Sequence, residues 1–293
     1  MPDIKHTAFS GRLVIVGFGS IGQGVLPLLL RHIDLRPDQI VVITAELRGH
    51  EVAEEYGVRF VETALTRDNY RAVLASWLDA GDFLLNVSVD VSSVALIELC
   101  RDTGALYLDT CIEPWPGGYT DPNLPPSARS NYALRESALA LRPNCDPGGD
   151  HNGGDPGPTA VITHGANPGL VSHFVKQALL DVARDADGDA ASEAPTDRRG
   201  WAQLAARLGV KAIHIAERDT QVSAIPKEPG EFVNTWSIDG FFSEGSQPAE
   251  LGWGTHERHF PIDGMRHDFG GQAAIYLLRP GAGTRVCSWT PLE

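Results

Sequence analysis

Residues 13–22, Leu-Val-Ile-Val-Gly-Phe-Gly-Ser-Ile-Gly, carry an apolar strand straight into a G-x-G-x-x-G turn. Each glycine in this arrangement has its own mechanical task. Gly17 permits the tight turn out of the strand, and Gly19 lets the backbone approach a pyrophosphate. Gly22 lets the following helix pack against the strand. Ile21, Val25, Leu28, Leu29 and Ile33 then recur at helical spacing, so an amphipathic helix presents its free N–H groups and positive dipole end to the phosphates. A bare glycine triplet is weak evidence. Strand, glycines and helix in this order specify a dinucleotide-binding turn formed by Gly17, Phe18, Gly19, Ser20, Ile21 and Gly22.

The first half of the chain alternates strand and helix, which implies a parallel sheet. Apolar runs predict strands at Leu13–Val16, Ile40–Ile43, Val58–Val61, Phe83–Val87, Ala105–Asp109 and Ala160–Thr163. Periodic segments predict helices at about Ile21–His32, Gly49–Tyr56, Asp68–Leu78, Ser92–Asp102 and Asn131–Leu141. Strands that are apolar throughout fit burial on both sheet faces. The expected fold is α/β: a Rossmann-type doubly wound parallel sheet over residues 9–165. A second, incomplete α/β domain with a largely antiparallel sheet is expected over residues 166–293. In that second part Asn167 and Pro168 read as a helix start, followed by an apolar face of Val171, Phe174, Val175, Ala178, Leu179 and Val182. Strand-like runs follow at Val210–Ile215, Phe232–Phe242 and Ala273–Leu278. Asn144–Pro158 and Asp181–Gly200 read as surface insertions, the second as a helix end followed by a loop, and His151 within the first as an exposed loop histidine.

Composition narrows the function classes. A formal net charge of -14 argues against a nucleic-acid partner, which requires a basic face. The longest apolar run, Val25–Leu30, falls far short of the roughly 20 residues that cross a bilayer. Cys100, Cys111, Cys145 and Cys287 form no C-x-x-C pair, so no zinc ribbon or disulfide framework is expected, and no metal. Reduced thiols and a start without a basic, apolar leader give a cytoplasmic expectation.

Ligands of open α/β sheets bind beyond the carboxyl ends of the strands. The second strand ends Ile43-Thr44-Ala45-Glu46, and Glu46 is placed to reach the ribose hydroxyls and repel a 2′-phosphate. That favours NAD, although Thr44 and Arg48 leave NADP open, and Glu46 could instead cap the next helix. The later strand ends supply Asn86, Ser88 and Thr110 on the cofactor side, with Asp90 and Glu113 converging on the same crevice. The second half adds Glu217, Trp236 and Glu244. Carboxylates grouped with an indole suit an alkyl diamine, because tryptophan faces stabilise ammonium groups by about 2 kcal/mol when desolvated. Taken alone, Trp236 on an alternating strand could equally be core.

The strings GFGSIG, NVSVDVSS, GALYLDT, EPW, RSNYALRE, GANPG, GVKAIHIAERDTQ, FVNTWS and SEGSQPAELGWGTHER make the resemblance specific. From about residue 12 to about 291 the chain resembles bacterial homospermidine synthases, within the saccharopine dehydrogenase-like group. The resemblance implies NAD-dependent aminobutyl transfer without net redox change: two putrescines become sym-homospermidine with release of ammonia. It assigns active-site acids to Asp90, Glu113, Glu217 and Glu244, the cation–π residue to Trp236 and a cofactor-side asparagine to Asn167. A homodimer is implied. Members of the group are roughly half as long again or more, so an open sheet edge and an incomplete site are expected of residues 1–293 alone. Two other classes stay open: a non-catalytic NAD-binding remnant, and an amine or amino-acid dehydrogenase. An amino-acid substrate needs a basic residue for its carboxylate, which the acid set does not supply.

Overall fold

Alternate residues of one strand point to opposite faces of its sheet, and both faces are apolar here. Leu13, Ile15, Ile40, Val42 and Leu85 pack on one side, with Phe18, Leu26 and Ala53. Val14, Val16, Val41, Ile43 and Leu84 pack on the other, with Leu74, Leu96 and Leu99. Each such side chain contributes about 1.5–3 kcal/mol on burial, and two cores on one sheet define a doubly wound fold.

The structure, a computed structural model, describes residues 4–142, 157–188, 193–216, 218, 220–253 and 259–285. In chain order the elements are β1 (Thr7–Ala8), β2 (Leu13–Val16), α1 (Ser20–His32), β3 (Ile33–Asp34), β4 (Ile40–Thr44), α2 (His50–Glu55) and β5 (Arg59–Glu62). There follow α3 (Tyr70–Leu74), β6 (Phe83–Asn86), α4 (Ser93–Thr103), β7 (Leu106–Asp109), α5 (Asn131–Ala140) and β8 (Ala160–Val161). The remainder holds α6 (Leu170–Asp187), α7 (Arg198–Arg207), α8 (Ile238–Ser246), β9 (Pro248–Gly252), β10 (Gly264–Arg266) and β11 (Ala274–Pro280).

Six strands form one parallel sheet in the order β5-β4-β2-β6-β7-β8. The strand order runs outward from β2 through β4 to β5, then resumes on the other side of β2 with β6, β7 and β8, so it reverses between β2 and β6. This topological switch point opens the crevice in which such sheets bind ligands. A separate three-stranded antiparallel sheet has the order β10-β11-β9. It is tied to α5 by a carboxylate. Glu250 on β9 accepts the N–H groups of Asn131 (2.7 Å) and Tyr132 (3.0 Å), and Ser130 caps the same helix end through Ala133 N–H. Orphan donors and a positive dipole end thus receive a charge from the second sheet. The Tyr132 ring stacks beside His267 and Phe269 in the same join.

Several expectations need correction. Residues 210–216 form no strand; Val210 N–H instead closes the end of α7 on the Ala205 carbonyl at 3.1 Å. The run Phe232–Phe242 is not a strand either: from Ile238 it is α8. Ser237 caps that helix by accepting Gly240 N–H at 3.0 Å, with Asp239 in the first turn. Helix α3 is shorter than Asp68–Leu78, since Asn69 folds back to accept Thr66 N–H at 2.7 Å and closes a turn there. Asn167 does not cap α6. Its bond to Pro168 is cis, and Gly169 holds the N-cap position. On α6, Leu179 and Ala183 are buried against Leu204 of α7, whereas Phe174 and Val182 face outward. The expected second insertion, Asp181–Gly200, opens as the end of α6, which runs to Asp187, and 143–156, which hold Cys145 and His151, lie outside the described residues, as does Cys287. Among the described residues, no helix is long and apolar enough to cross a membrane, and no group of His, Cys, Asp or Glu could hold a metal.

Candidate active site

The glycine turn has the shape that its sequence requires. Gly17 has φ +88°, and a Cβ there would lie 2.7 Å from the backbone N and Cα of Ser88. A Cβ on Gly22 would meet the Gly17 carbonyl at 2.8 Å, so this position brings helix and turn together. A Cβ on Gly19 would meet nothing within 4 Å, leaving open space over the turn. Helix α1 takes Gly19 as N-cap, with no side-chain cap and no acid in its first turn. Such an uncapped N-terminus suits a phosphate. Ser20 and Ile21 are exposed at this end, whereas the Phe18 ring is buried in the core, so Phe18 offers only its main chain.

At the end of β4, Glu46 is exposed and lies 3.7 Å from Arg48. It does not cap α2, whose N-cap is Gly49. At the end of β6, Asn86 is buried, and its Oδ1 accepts Ser88 N–H (3.2 Å) and Ser88 Oγ–H (2.6 Å). This pair forms the wall against which Gly17 turns. Thr110 follows β7 and lies against Gly165, whose Cβ would come within 3.1 Å of the Thr110 carbonyl.

Three of the expected acids converge. Glu113 is buried. Its carboxyl lies close to the Asp90 main chain and the Cys111 thiol, which donates to the Ile112 carbonyl at 3.8 Å, and feels the charges of Asp90 and Glu244. Desolvation, more than those charges, raises its pKa from 4.5 to about 8. Burial also raises the pKa of Glu244, and that of Asp90 with a smaller push from Asp239. Asp90 adopts a left-handed backbone at φ +64°, a conformation enriched at functional turns. Cys111 and Tyr119 are raised as well, first by burial and then by the charges of Glu113, Glu244 and others. Helix α8 therefore brings Glu244 within electrostatic reach of Glu113 and Cys111, and Asp239 within reach of Asp90. Trp236 leads into α8. It packs on Phe241 at 6.1 Å between ring centres and stays 36% exposed, so it is not a core residue. Asn167 is exposed in the turn between β8 and α6. Glu217 lies outside the described residues.

Sequence reasoning missed the support beneath these acids: Tyr107, Asp109, Ser93, Cys111 and Tyr119. The available signal was Asp109, a carboxylate at an inward position of an otherwise apolar strand.

A parallel sheet with a phosphate-ready first turn and ligand groups at its switch point defines a dinucleotide-binding α/β protein. Residues 13–161 match the model of the saccharopine dehydrogenase NADP binding domain, and 165–291 that of the saccharopine dehydrogenase C-terminal domain. The chain belongs to the saccharopine dehydrogenase family. Homospermidine synthase of Blastochloris viridis is 56% identical over 284 residues, which are 96% of this chain and 57% of that protein. The homospermidine synthase of Mesorhizobium japonicum is 48% identical over 285 residues, with the same coverage of 96% and 57%. A crystal structure of homospermidine synthase from Legionella pneumophila in complex with NAD superposes with TM-score 0.76 at 47% identity, covering 97% of this chain and 57% of that one. The chain thus spans a little over half the length of these relatives.

The cofactor choice is testable at Glu46. Its exposed carboxylate, ion-paired with the exposed Arg48 and unused by α2, is placed to meet the ribose hydroxyls. NAD⁺ is expected to bind more tightly than NADP⁺, and Glu46→Ala to narrow the difference at least about tenfold. Calorimetry showing equal or tighter NADP⁺ binding to the unmutated chain would overturn the assignment.

Proposed function

We propose that this polypeptide carries the cofactor crevice and acid cluster of a homospermidine synthase, joining two putrescines with release of ammonia. The observation that carries the reading is the convergence of Asp90, Glu113 and Glu244 in a desolvated crevice at the switch point, with the exposed face of Trp236 on the same helix lead as Glu244. The identities of 56%, 48% and 47% to three homospermidine synthases support it. Residues 9–165 form its nucleotide domain and 166–293 its substrate and dimer domain, and the protein works in the cytoplasm as a homodimer.

Bound NAD⁺ would supply reversible hydride acceptance from the carbon beside one amino group of putrescine. The turn from Gly17 to Gly22 and the free N–H groups of α1 hold the pyrophosphate, Glu46 the ribose, and Asn86, Ser88, Thr110 and Asn167 line the inner end. Putrescine is a dication in water, and the crevice answers it with carboxyls. Glu244 pairs with the distal ammonium, and the indole of Trp236 faces the cationic imine and secondary amine. Glu113 carries a proton near neutral pH when unliganded. Binding of the diammonium ionises it, and the carboxylate then takes a proton from the attacking amine and delivers that proton to the departing ammonia. Glu217 joins this acid set by resemblance.

Two substitutions at one position test the cation–π role. Trp236→Ala is expected to lower kcat/KM for putrescine at least about 30-fold, and Trp236→Phe by several-fold less, because a phenyl face retains part of the attraction. Chromatography should show homospermidine and ammonia in equal amounts with no net NADH. Equal losses from both substitutions would reduce Trp236 to a space-filler. Stoichiometric NADH without homospermidine would make the protein an amine dehydrogenase.

A further inference from the structure

The segment Glu113-Pro114-Trp115-Pro116-Gly117-Gly118-Tyr119 leaves the acid cluster and returns to it. Pro116 and Gly117 are the central pair that a type II turn requires. Proline presets the first φ and glycine supplies a positive second one, here +82°, while Gly118 N–H closes the turn on the Trp115 carbonyl at 3.0 Å. A Cβ on Gly118 would lie 2.5 Å from Pro114 Cβ, so glycine lets the loop fold this closely on itself. The turn brings Tyr119 back, buried, against the strand exit that the chain has just left.

Tyr119 Oη–H donates to the Ile112 carbonyl at 2.8 Å, a stronger donor there than the Cys111 thiol at 3.8 Å. The N–H of the same peptide group, that of Glu113, donates to Ser93 Oγ at 2.9 Å. One peptide plane is thus held at both of its polar ends, and Ser93 N–H adds a bond to the Glu113 carbonyl at 2.9 Å. Tyr119 Oη also lies 2.8 Å from Asn131 Oδ1, and Asn131 N–H is one of the two that Glu250 of β9 accepts. A phenol has one proton for these two oxygens. It serves Ile112 when the Asn131 amide is turned to present its NH₂, an exchange of ends that leaves the heavy atoms in place.

We propose that Tyr119 is a positioning residue whose hydroxyl clamps the Ile112–Glu113 peptide and, through Asn131, ties the pose of Glu113 to the junction of α5 with the second sheet. Helix α8, which carries Glu244, leads directly into β9, which carries Glu250. The clamp therefore closes a ring between two acids of the cluster: Glu244 is joined to it through β9 and Glu250, and Glu113 through Tyr119. Their separation is set by this ring. What that separation does for a diamine rests on the synthase reading above, but the clamp itself does not. A merely structural Tyr119 would change stability and leave Glu113 titrating as before.

The test is a carboxyl ¹³C NMR titration of glutamate-labelled protein, with the Glu113 resonance assigned by its loss in Glu113→Gln. It is run on the unmutated protein, Tyr119→Phe and Asn131→Ala. Tyr119→Phe removes only the hydroxyl and keeps the ring. Asn131→Ala removes the amide and keeps the Asn131 N–H for Glu250. Asp90, Cys111 and Glu244, the groups that face Glu113, are unchanged in both. With the Ile112 carbonyl released, the peptide turns and the Glu113 carboxyl moves toward water. The Glu113 midpoint is expected to fall by about one pH unit or more in Tyr119→Phe, a tenfold loss of proton affinity, and by less in Asn131→Ala. An unmoved or raised midpoint in folded Tyr119→Phe overturns the proposal, and an unmoved midpoint in Asn131→Ala overturns its link to the second sheet. If Tyr119→Phe does not fold, Asn131→Ala decides alone. The readout requires no turnover, so a lack of homospermidine formation would count against the synthase reading and not against this clamp.

Discussion

Glu113→Gln is expected to make the unliganded protein more stable at pH 9 and, on the proposed synthase reading, to lower aminobutyl transfer by about 100-fold or more. Burial raises the Glu113 pKa from 4.5 to about 8, so the native state holds a proton there that the unfolded chain has already released. The protonated group stabilises the fold fully below about pH 4.5, and this contribution declines as the pH rises through about 8. Above that value the crevice contains an ionised carboxylate beside Glu244 and Asp90, at a cost on the order of 3–5 kcal/mol. Glutamine keeps the shape and an acceptor beside the Asp90 main chain but never ionises. The variant's melting temperature should exceed the parent's by about 5 °C or more at pH 9 and converge with it at pH 4–5. Melting curves at pH 5, 7 and 9 read the effect directly. A constant difference across that range would mean that Glu113 is not the titrating group. A diammonium ligand should reverse the sign, since it favours ionised Glu113, and putrescine binding near pH 7 should then release protons to the buffer.

The parallel sheet was legible because its signals are local. Val41-Val42-Ile43 can be stable only when covered on both faces, and Gly17 and Gly22 turn the chain where the apolar run stops. The convergence of Asp90 and Glu113 was legible for the same reason, since both follow ends of parallel strands on one side of the sheet. The second half resisted reading because distant contacts determine it. The residues from Phe232 to Phe242 are rich in aromatics and would serve as a strand, but the Ser237 cap and Asp239 begin a helix that brings Glu244 onto the acid cluster. Asn167-Pro168 had the composition of a helix start, yet the chain needed a turn there and gave the cap position to Gly169. The apolar stripe of α6 was half right: Leu179 is buried under α7, but Phe174 is exposed. The support from Ser93 was invisible, because nothing in its spacing indicates that its hydroxyl accepts the Glu113 N–H.

Two glycines two residues apart should fail in different ways. Gly17→Ala forces a side chain onto a residue at φ +88°, a conformation that costs most residues about 1–2 kcal/mol. The new Cβ also sits 2.7 Å from Ser88 N and Cα and 2.9 Å from the Val87 carbonyl carbon. These are backbone atoms of β6's exit and cannot swing aside as a side-chain tip would, so the turn and strand end must separate. Lost stability of about 2–4 kcal/mol and NAD⁺ affinity reduced at least about 100-fold are expected together. Gly19→Ala meets nothing within 4 Å in the protein and has no positive φ to relieve. Its stability should stay within about 0.5 kcal/mol of the parent, or rise slightly through the stiffer unfolded chain. Its Cβ projects into the space through which a pyrophosphate must come close to the backbone, so NAD⁺ affinity should still fall about 100-fold. Denaturant melts and NAD⁺ calorimetry on both variants separate the two effects. A Gly19→Ala protein that binds NAD⁺ as tightly as its parent would remove the pyrophosphate from this turn. A Gly17→Ala protein of unchanged stability would mean that the Ser88 wall yields, and that the crevice is softer than its buried hydrogen bonds imply.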